Sequence, residues 1–252
     1  MAADTPSIQY VKGVGPRLAE RLAARGIRTP RDALFFFPKG YEDRRRIVPI
    51  GALVHGMTAP VRGRVLHAGG GGRRGFRGGG PFEVTIADGT GRLTAKWFHA
   101  HPSLMERFRA GETILLCGAV RRFRLALEMH HPEILSPADE ADPIHLGEII
   151  PVYPEVEGVP PRTLRKIQRE VVKGHAPSVR EFFPGWMLVA AGVPPIHESI
   201  AALHFPPRDA DIALLSSFAS PQQQRLVFQE LFYIQWTLAK RRAGVEKEEA
   251  IP

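Results

Sequence analysis

Phe82-Glu83-Val84-Thr85-Ile86-Ala87-Asp88-Gly89-Thr90-Gly91-Arg92-Leu93-Thr94-Ala95-Lys96-Trp97 is the stretch on which the fold turns. Phe82, Val84 and Ile86 alternate with Glu83, Thr85 and Ala87, the period of two that sends apolar residues to one face of a strand. Asp88-Gly89-Thr90-Gly91 supplies the turn and Arg92 to Phe98 returns, so the stretch reads as a β-hairpin. On its N-terminal side, Ala59 to His67 alternates small or apolar residues with cations, as a half-exposed strand does. A glycine- and arginine-rich loop, residues 69–80 with Arg73, Arg74 and Arg77, joins that strand to the hairpin. On the C-terminal side, Pro102 to Phe108 makes a short helix and Thr113 to Val120 a near-continuous apolar strand. Arg121-Arg122-Phe123-Arg124 then reads as a basic turn and Leu125 to His130 as a last strand. Strand, long loop, hairpin, short helix, hairpin is the order of an OB-fold. The predicted class is α+β: a small Greek-key β-barrel over residues 56–136, flanked by a helical hairpin region over 1–55 and a mostly helical connector over 137–252.

The charge is uneven along the 252 residues. Lys+Arg number 34 and Asp+Glu 26, a net charge of +8. Residues 1–136 hold 22 cations against 11 acids, residues 137–252 hold 12 against 15. A one-sided basic region dominated by arginine suits phosphate contacts and marks a nucleic-acid or anionic-membrane surface. No amphipathic lipid-binding helix favours the membrane. No apolar run spans a bilayer and the N-terminus lacks the features of a signal peptide, which predicts a cytoplasmic, nucleoid-associated protein. The lone Cys117, within Ile114 to Gly118, reads as a core residue and not as a nucleophile.

At the N-terminus, Ile8 to Val11 leads through Lys12-Gly13-Val14-Gly15-Pro16 into a helix with Leu18, Ala19, Leu22 and Ala23 at helical spacing. Thr29-Pro30-Arg31-Asp32 offers an N-cap, a proline at the first helical position and a capping acid before Ala33 to Phe37. The pattern is that of a helix-hairpin-helix, in which Gly13 and Gly15 let backbone amides approach a phosphate; a tight turn between packed helices explains the same glycines. Arg44-Arg45-Arg46 reads as a solvated charge run. In the connector, Leu164, Ile167, Val171 and Val172 follow Pro160-Pro161 at helical spacing. Leu226, Phe228, Leu231, Ile234, Trp236 and Leu238 mark a longer helix capped by Ser220-Pro221.

OB-folds bind oligonucleotides on the face of their second and third strands and between two of their loops. Those loops are the Gly/Arg segment, with Arg73, Arg74 and Arg77, and the turn with Arg121, Arg122 and Arg124; Lys96 lies on the strand face. At the end of the third strand, alternation puts Trp97 with Leu93 and Ala95, and Phe98 with Thr94 and Lys96. One ring is then core and the other exposed for base stacking, unless a bulge exposes both.

Val11-Lys12-Gly13-Val14-Gly15-Pro16, Phe37-Pro38, Tyr41-Glu42-Asp43-Arg44, Asp88-Gly89-Thr90-Gly91, Trp97-Phe98, His131-Pro132-Glu133, Pro151-Val152-Tyr153-Pro154, Glu157-Gly158-Val159 and Thr163-Leu164-Arg165 occur in this order. Together they resemble the N-terminal part of RecG, along almost the whole chain. The resemblance implies an ATP-dependent superfamily 2 DNA helicase family that reverses replication forks and migrates branches in recombination and repair. It implies a wedge domain built on an OB-fold that holds the junction while a C-terminal motor pulls duplex. It assigns Trp97 and Phe98 to the aromatics that stack at the branch point, and Arg73 and Arg74 to the basic pair of the wedge loop. The glycines around that pair and Arg77 depart from the family pattern. The partners implied are branched DNA (forks and Holliday junctions) and single-stranded DNA, with single-strand DNA-binding protein as a further one.

ATP and magnesium are implied for the full-length family only. The sequence holds no Gly-Lys pair, which a phosphate loop needs. Asp139-Glu140-Ala141-Asp142 spells a helicase motif, but it lies in a proline-flanked linker. The chain ends where the family would enter its motor, so it reads as a fragment or truncated homologue, inactive alone. His99, His101, His130 and His131 lack partners at zinc spacing. The alternative is a stand-alone OB-fold protein that coats single strands; a peptide-binding barrel would not need the basic loops.

Overall fold

The computed structural model describes residues 6–70, 80–98, 100–135 and 146–248. Arg73, Arg74, Arg77, His99 and the segment 139–142 fall outside them. The chain forms two compact units, Met1–Tyr41 with Pro151–Pro252, and Glu42–Ile150. Sequence order suggested three consecutive segments; instead, the first and last share one core. Ile8, Val14, Leu22 and Leu34 pack with Tyr153, Leu164, Ile167, Val171, Ile196 and Ile200.

In that unit a single 3-10 turn, Ile8–Tyr10, precedes the helix Pro16–Ala24. The first arm of the expected helix-hairpin-helix is thus one turn long. The helix Pro30–Leu34 begins with a complete capping box, Thr29 and Asp32 each accepting from the other's backbone N–H. Pro161–His175, Ile196–His204 and Pro221–Glu248 match the helical periodicity of the connector. Two short helices, Gly185–Ala191 and Ile212–Ser216, add to it. The long helix is tied at its start by Arg225, which is fully buried: its guanidinium donates to Glu181 at 2.7 Å and lies 4.9 Å from the Phe183 ring centroid. Among the described residues no single helix is long and apolar enough to cross a membrane.

The strands are β1 Gly40–Asp43, β2 Thr58–Gly70, β3 Phe82–Ala87, β4 Arg92–Trp97, β5 Thr113–Phe123, β6 Ala126–His130, β7 Glu133–Leu135 and β8 Ile149–Val152. β1 pairs with β8 in a two-stranded sheet. In the second unit the order β2-β3-β4-β6-β5, with β5 returning to β2, closes a five-stranded barrel, and β7 adds to β5. Every pairing is antiparallel except β4 with β6, so the barrel is the expected OB-fold in an α+β chain.

β2 serves two neighbours. Thr58 to Arg64 pair with β5, Arg64 to Gly70 with β3, and a bulge at Val65/His67 bends the strand between them. Gly63 sits at this corner, where a Cβ would lie 3.0 Å from the Ile86 side chain. Val61, Val65, Val84, Ile86, Leu93, Leu116 and Met129 fill the interior. β5 is apolar on both faces because a second small core covers its outer side: Leu115 and Cys117 pack with Leu135 and Leu146. Cys117 is the core residue expected.

Candidate nucleic-acid interface

Register brings the interface together. Gly70 of β2 faces Phe82 of β3, and Phe82 faces Trp97 of β4. The paired ends of β2, β3 and β4 therefore gather where Phe98 follows Trp97. On the other side of β4, the parallel ladder pairs Lys96 with His130, and the His131 N–H donates to the Lys96 carbonyl at 2.8 Å. These bonds hold the His130-His131 corner against the end of β4. Both imidazoles lie against Phe98, with centroids 5.1 and 5.5 Å from its ring. Phe98 is 48% exposed. It is a plate with open area, braced by both imidazoles.

Trp97 takes the opposite course. It is buried in the barrel against Phe108, at 5.2 Å between centroids, and Phe82, at 6.1 Å. Strand alternation holds to the last residue of β4, so a DNA-stacking role for Trp97 gives way to a packing role. A buried indole has no free face to offer a base.

Lys96 also differs from expectation. Its ammonium lies 2.6 Å from Glu128 and 3.3 Å from Glu83, and it is largely covered. Glu83 is its direct cross-strand partner, while Glu128 arrives through β6. Burial pushes the Glu128 carboxyl up, but hydrogen bonds from Lys96 and His130 outweigh this and hold it below the usual carboxylate range. The hydrogen bond to Glu128 likewise raises the Lys96 ammonium. The middle of the outer β3–β4 face thus holds two carboxylates around one cation, a poor surface for phosphate.

The other basic residues divide. Arg121, Arg122 and Arg124 are exposed, but Arg121 and Arg122 lie on β5, which outlasts its expected end at Val120 by three residues. The turn itself is Arg124-Leu125. Arg44 is not part of a solvated run: it is buried, with one amino nitrogen 2.5 Å from Glu42 and 2.7 Å from Glu133. Sequence reading missed this trio because Glu133 enters on a strand 89 residues away.

The β3–β4 turn is fixed by Asp88, whose carboxylate accepts from the backbone of Ile50, Thr90 and Gly91. Although desolvation opposes it, these bonds and one from the Thr90 hydroxyl hold the Asp88 carboxyl at about 2.

In the other unit, Gly13 adopts φ +87°, which favours glycine, while Gly15 is the N-cap of Pro16–Ala24 in an ordinary extended conformation. No side chain caps that helix, and Lys12 and Arg17 are exposed beside it. Among the described residues no three His, Cys, Asp or Glu side chains are grouped to hold a metal.

The family model of the RecG wedge domain matches residues 7–174. The ATP-dependent DNA helicase RecG of Escherichia coli K12 is 31% identical over 250 residues, covering 99% of this chain and 35% of that protein. RecG of Aquifex aeolicus is 30% identical over 253 residues, covering 96% of this chain and 31% of its own length. The chain thus spans about a third of the length of these relatives. The structure of RecG bound to a three-way DNA junction matches with a TM-score of 0.68 at 25% identity, over 96% of this chain and 32% of that one. With the motifs of its sequence, its closed barrel and a matched region of this extent, the chain belongs to the RecG wedge domain family.

Proposed function

We propose that this chain is the branched-DNA-binding wedge module of a RecG-like helicase, acting where replication forks are reversed and branches migrated. The observation that carries the reading is the exposed Phe98 plate at the end of β4, held against His130 and His131. A flat ring stacks on a base only where the base is unpaired or at the end of a stack, and a fork offers both. Arg73, Arg74 and Arg77 would supply phosphate contacts, which position without selecting. Lys12, Gly13 and Gly15 are a second candidate phosphate contact, on the other unit.

The reading confines the chain to binding and strand separation. The sequence holds no Gly-Lys pair of a phosphate loop, so the reading assigns it no ATP-binding residues. Single-strand DNA-binding protein remains a partner to test by co-purification.

The test is a titration of the whole chain against a three-way junction, a linear duplex of equal length and a single strand at fixed salt. The reading expects the junction to bind at least tenfold more tightly than the duplex. Equal affinities for junction and duplex, with the single strand tightest, would support the strand-coating alternative.

A further inference from the structure

His131-Pro132-Glu133 leaves the end of β6, and the backbone there takes a course that a side chain does not favour. His131 adopts φ 48°. Among the described residues nine glycines have positive φ, the region they favour, and His131 is one of three other residues that do. The surroundings hold it there. Its N–H donates to the Lys96 carbonyl at 2.8 Å, and the next residue, Pro132, is buried so close to β5 that a Cβ on Gly118 would lie 3.1 Å from it. Glu133 is then tied to the buried Arg44 at 2.7 Å. Glycine would make this turn without strain, so what histidine adds at the position is its ring, and residues held in such backbone cluster at ligand contacts.

That ring has an open face. His130 stands at 81° to the Phe98 plane, is half-buried and has its Nε2 3.3 Å from Glu128, so it supports the plate from an engaged position. His131 is exposed instead, and its ring meets Phe98 at 42°. Among the described residues no hydrogen-bond or ion-pair partner holds its imidazole. Two adjoining exposed rings make one surface, bent along the line where they meet. Neighbouring bases of a regular stack lie in parallel planes, so rings inclined at 42° cannot both lie flat on them. They suit two unpaired bases that have left the stack and turned from one another, the condition of bases where a duplex opens.

We infer that His131 is a second base-contacting residue beside Phe98, its imidazole stacking on an unpaired base turned away from the one that Phe98 holds. This rests on the reading of the chain as a branched-DNA binder and deepens it: the plate is two rings, and its ligand is a pair of diverging unpaired bases.

The test is a double-mutant cycle on the whole chain, with Phe98→Ala, His131→Gly and the two combined, titrated with a three-way junction and a linear duplex while melting temperatures are recorded. Glycine suits φ 48°, so His131→Gly melts within a few degrees of wild type. It lowers junction affinity about tenfold and leaves duplex affinity and the slope of log K against log salt unchanged. Because each ring has its own base, the double variant binds the junction several-fold more weakly than Phe98→Ala alone. His131→Phe, a ring that the chain carries at φ 58° in Phe218, keeps junction affinity within about twofold of wild type. A double variant no weaker than Phe98→Ala means that His131 acts only by propping that ring, and overturns the inference. So does a folded His131→Gly chain whose salt slope drops by about one, the mark of a phosphate ion pair. A folded His131→Phe chain as weak as His131→Gly also overturns it. If Phe98→Ala removes junction preference and His131→Gly spares it, only the second ring falls. A wild-type chain that binds the junction no better than the duplex overturns the wedge reading itself.

Discussion

Replacing Trp97 and Phe98 one at a time separates a packing residue from a binding residue that adjoin in sequence. Trp97 is buried, with Phe82 and Phe108 against its ring, so Trp97→Ala removes a large side chain from the barrel core and leaves a cavity there. Truncations of this kind cost about 3–5 kcal/mol. For a unit of roughly 110 residues, each kcal/mol moves the midpoint by about 4 °C, so the unit holding residues 42–150 should melt about 10–20 °C lower. Phe98 exposes about half its surface and lies against two imidazoles at the barrel's rim, so Phe98→Ala should cost under about 1 kcal/mol of stability. On a three-way junction it should instead lose about 1–3 kcal/mol of affinity. Circular dichroism melts and fluorescence-anisotropy titrations on the same samples read both quantities. A Trp97→Ala chain that melts like wild type yet loses junction affinity would refute the assignment of the two rings.

Other outcomes follow from the charges. Lys96→Met should leave DNA affinity near wild type while destabilising the barrel by about 1–3 kcal/mol, because Glu128 loses its cation; urea denaturation measures this. The Glu128 carboxyl is held below its unfolded value, so its contribution is present above that value and is lost as pH falls through the folded one. In Lys96→Met this acid loss should begin at a higher pH, as pH-dependent urea midpoints would show. His204 is buried between the Tyr153 hydroxyl and the Leu34 carbonyl, and burial lowers its pKa to about 4 despite the bond to Leu34. The unfolded imidazole takes up its proton first, so stability is full above about 6.5 and falls by about 3 kcal/mol as pH drops from there to about 4, a dependence that His204→Gln should flatten in pH-dependent melts. Glu181→Ala leaves the buried Arg225 without its carboxylate and should cost about 3–5 kcal/mol, with faster hydrogen exchange at the start of the 221–248 helix.

What could be read from sequence was local. The Phe82–Trp97 hairpin, the helix at Pro161 and the core position of Cys117 each follow from periodicity over a few residues. The fates of Lys96 and Arg44 did not, because their acids arrive through long-range pairing: Glu128 by the parallel β4–β6 ladder and Glu133 by way of β7. The grouping of the two terminal segments was illegible for the same reason, since Ile8 and Leu164 meet in one core far apart in the chain. Alternation places Trp97 and Phe98 on opposite faces, but no local pattern signals that His130 and His131 lie against Phe98, since they reach it through the parallel β4–β6 pairing. Nothing in the run Arg121 to Leu125 signalled that β5 would continue to Phe123 and leave Leu125 bare at the tip.

The central claim, that Phe98 meets an unpaired or end-stacked base at a branch point, is tested most directly with 2-aminopurine. The probe is placed either at the branch point of a three-way junction or in the middle of one arm, and its emission is followed as the whole chain is added. The account predicts a change at the branch point that Phe98→Ala abolishes, and no response in the arm. Equal responses at both positions, or a branch-point response that survives in a folded Phe98→Ala chain, would contradict it.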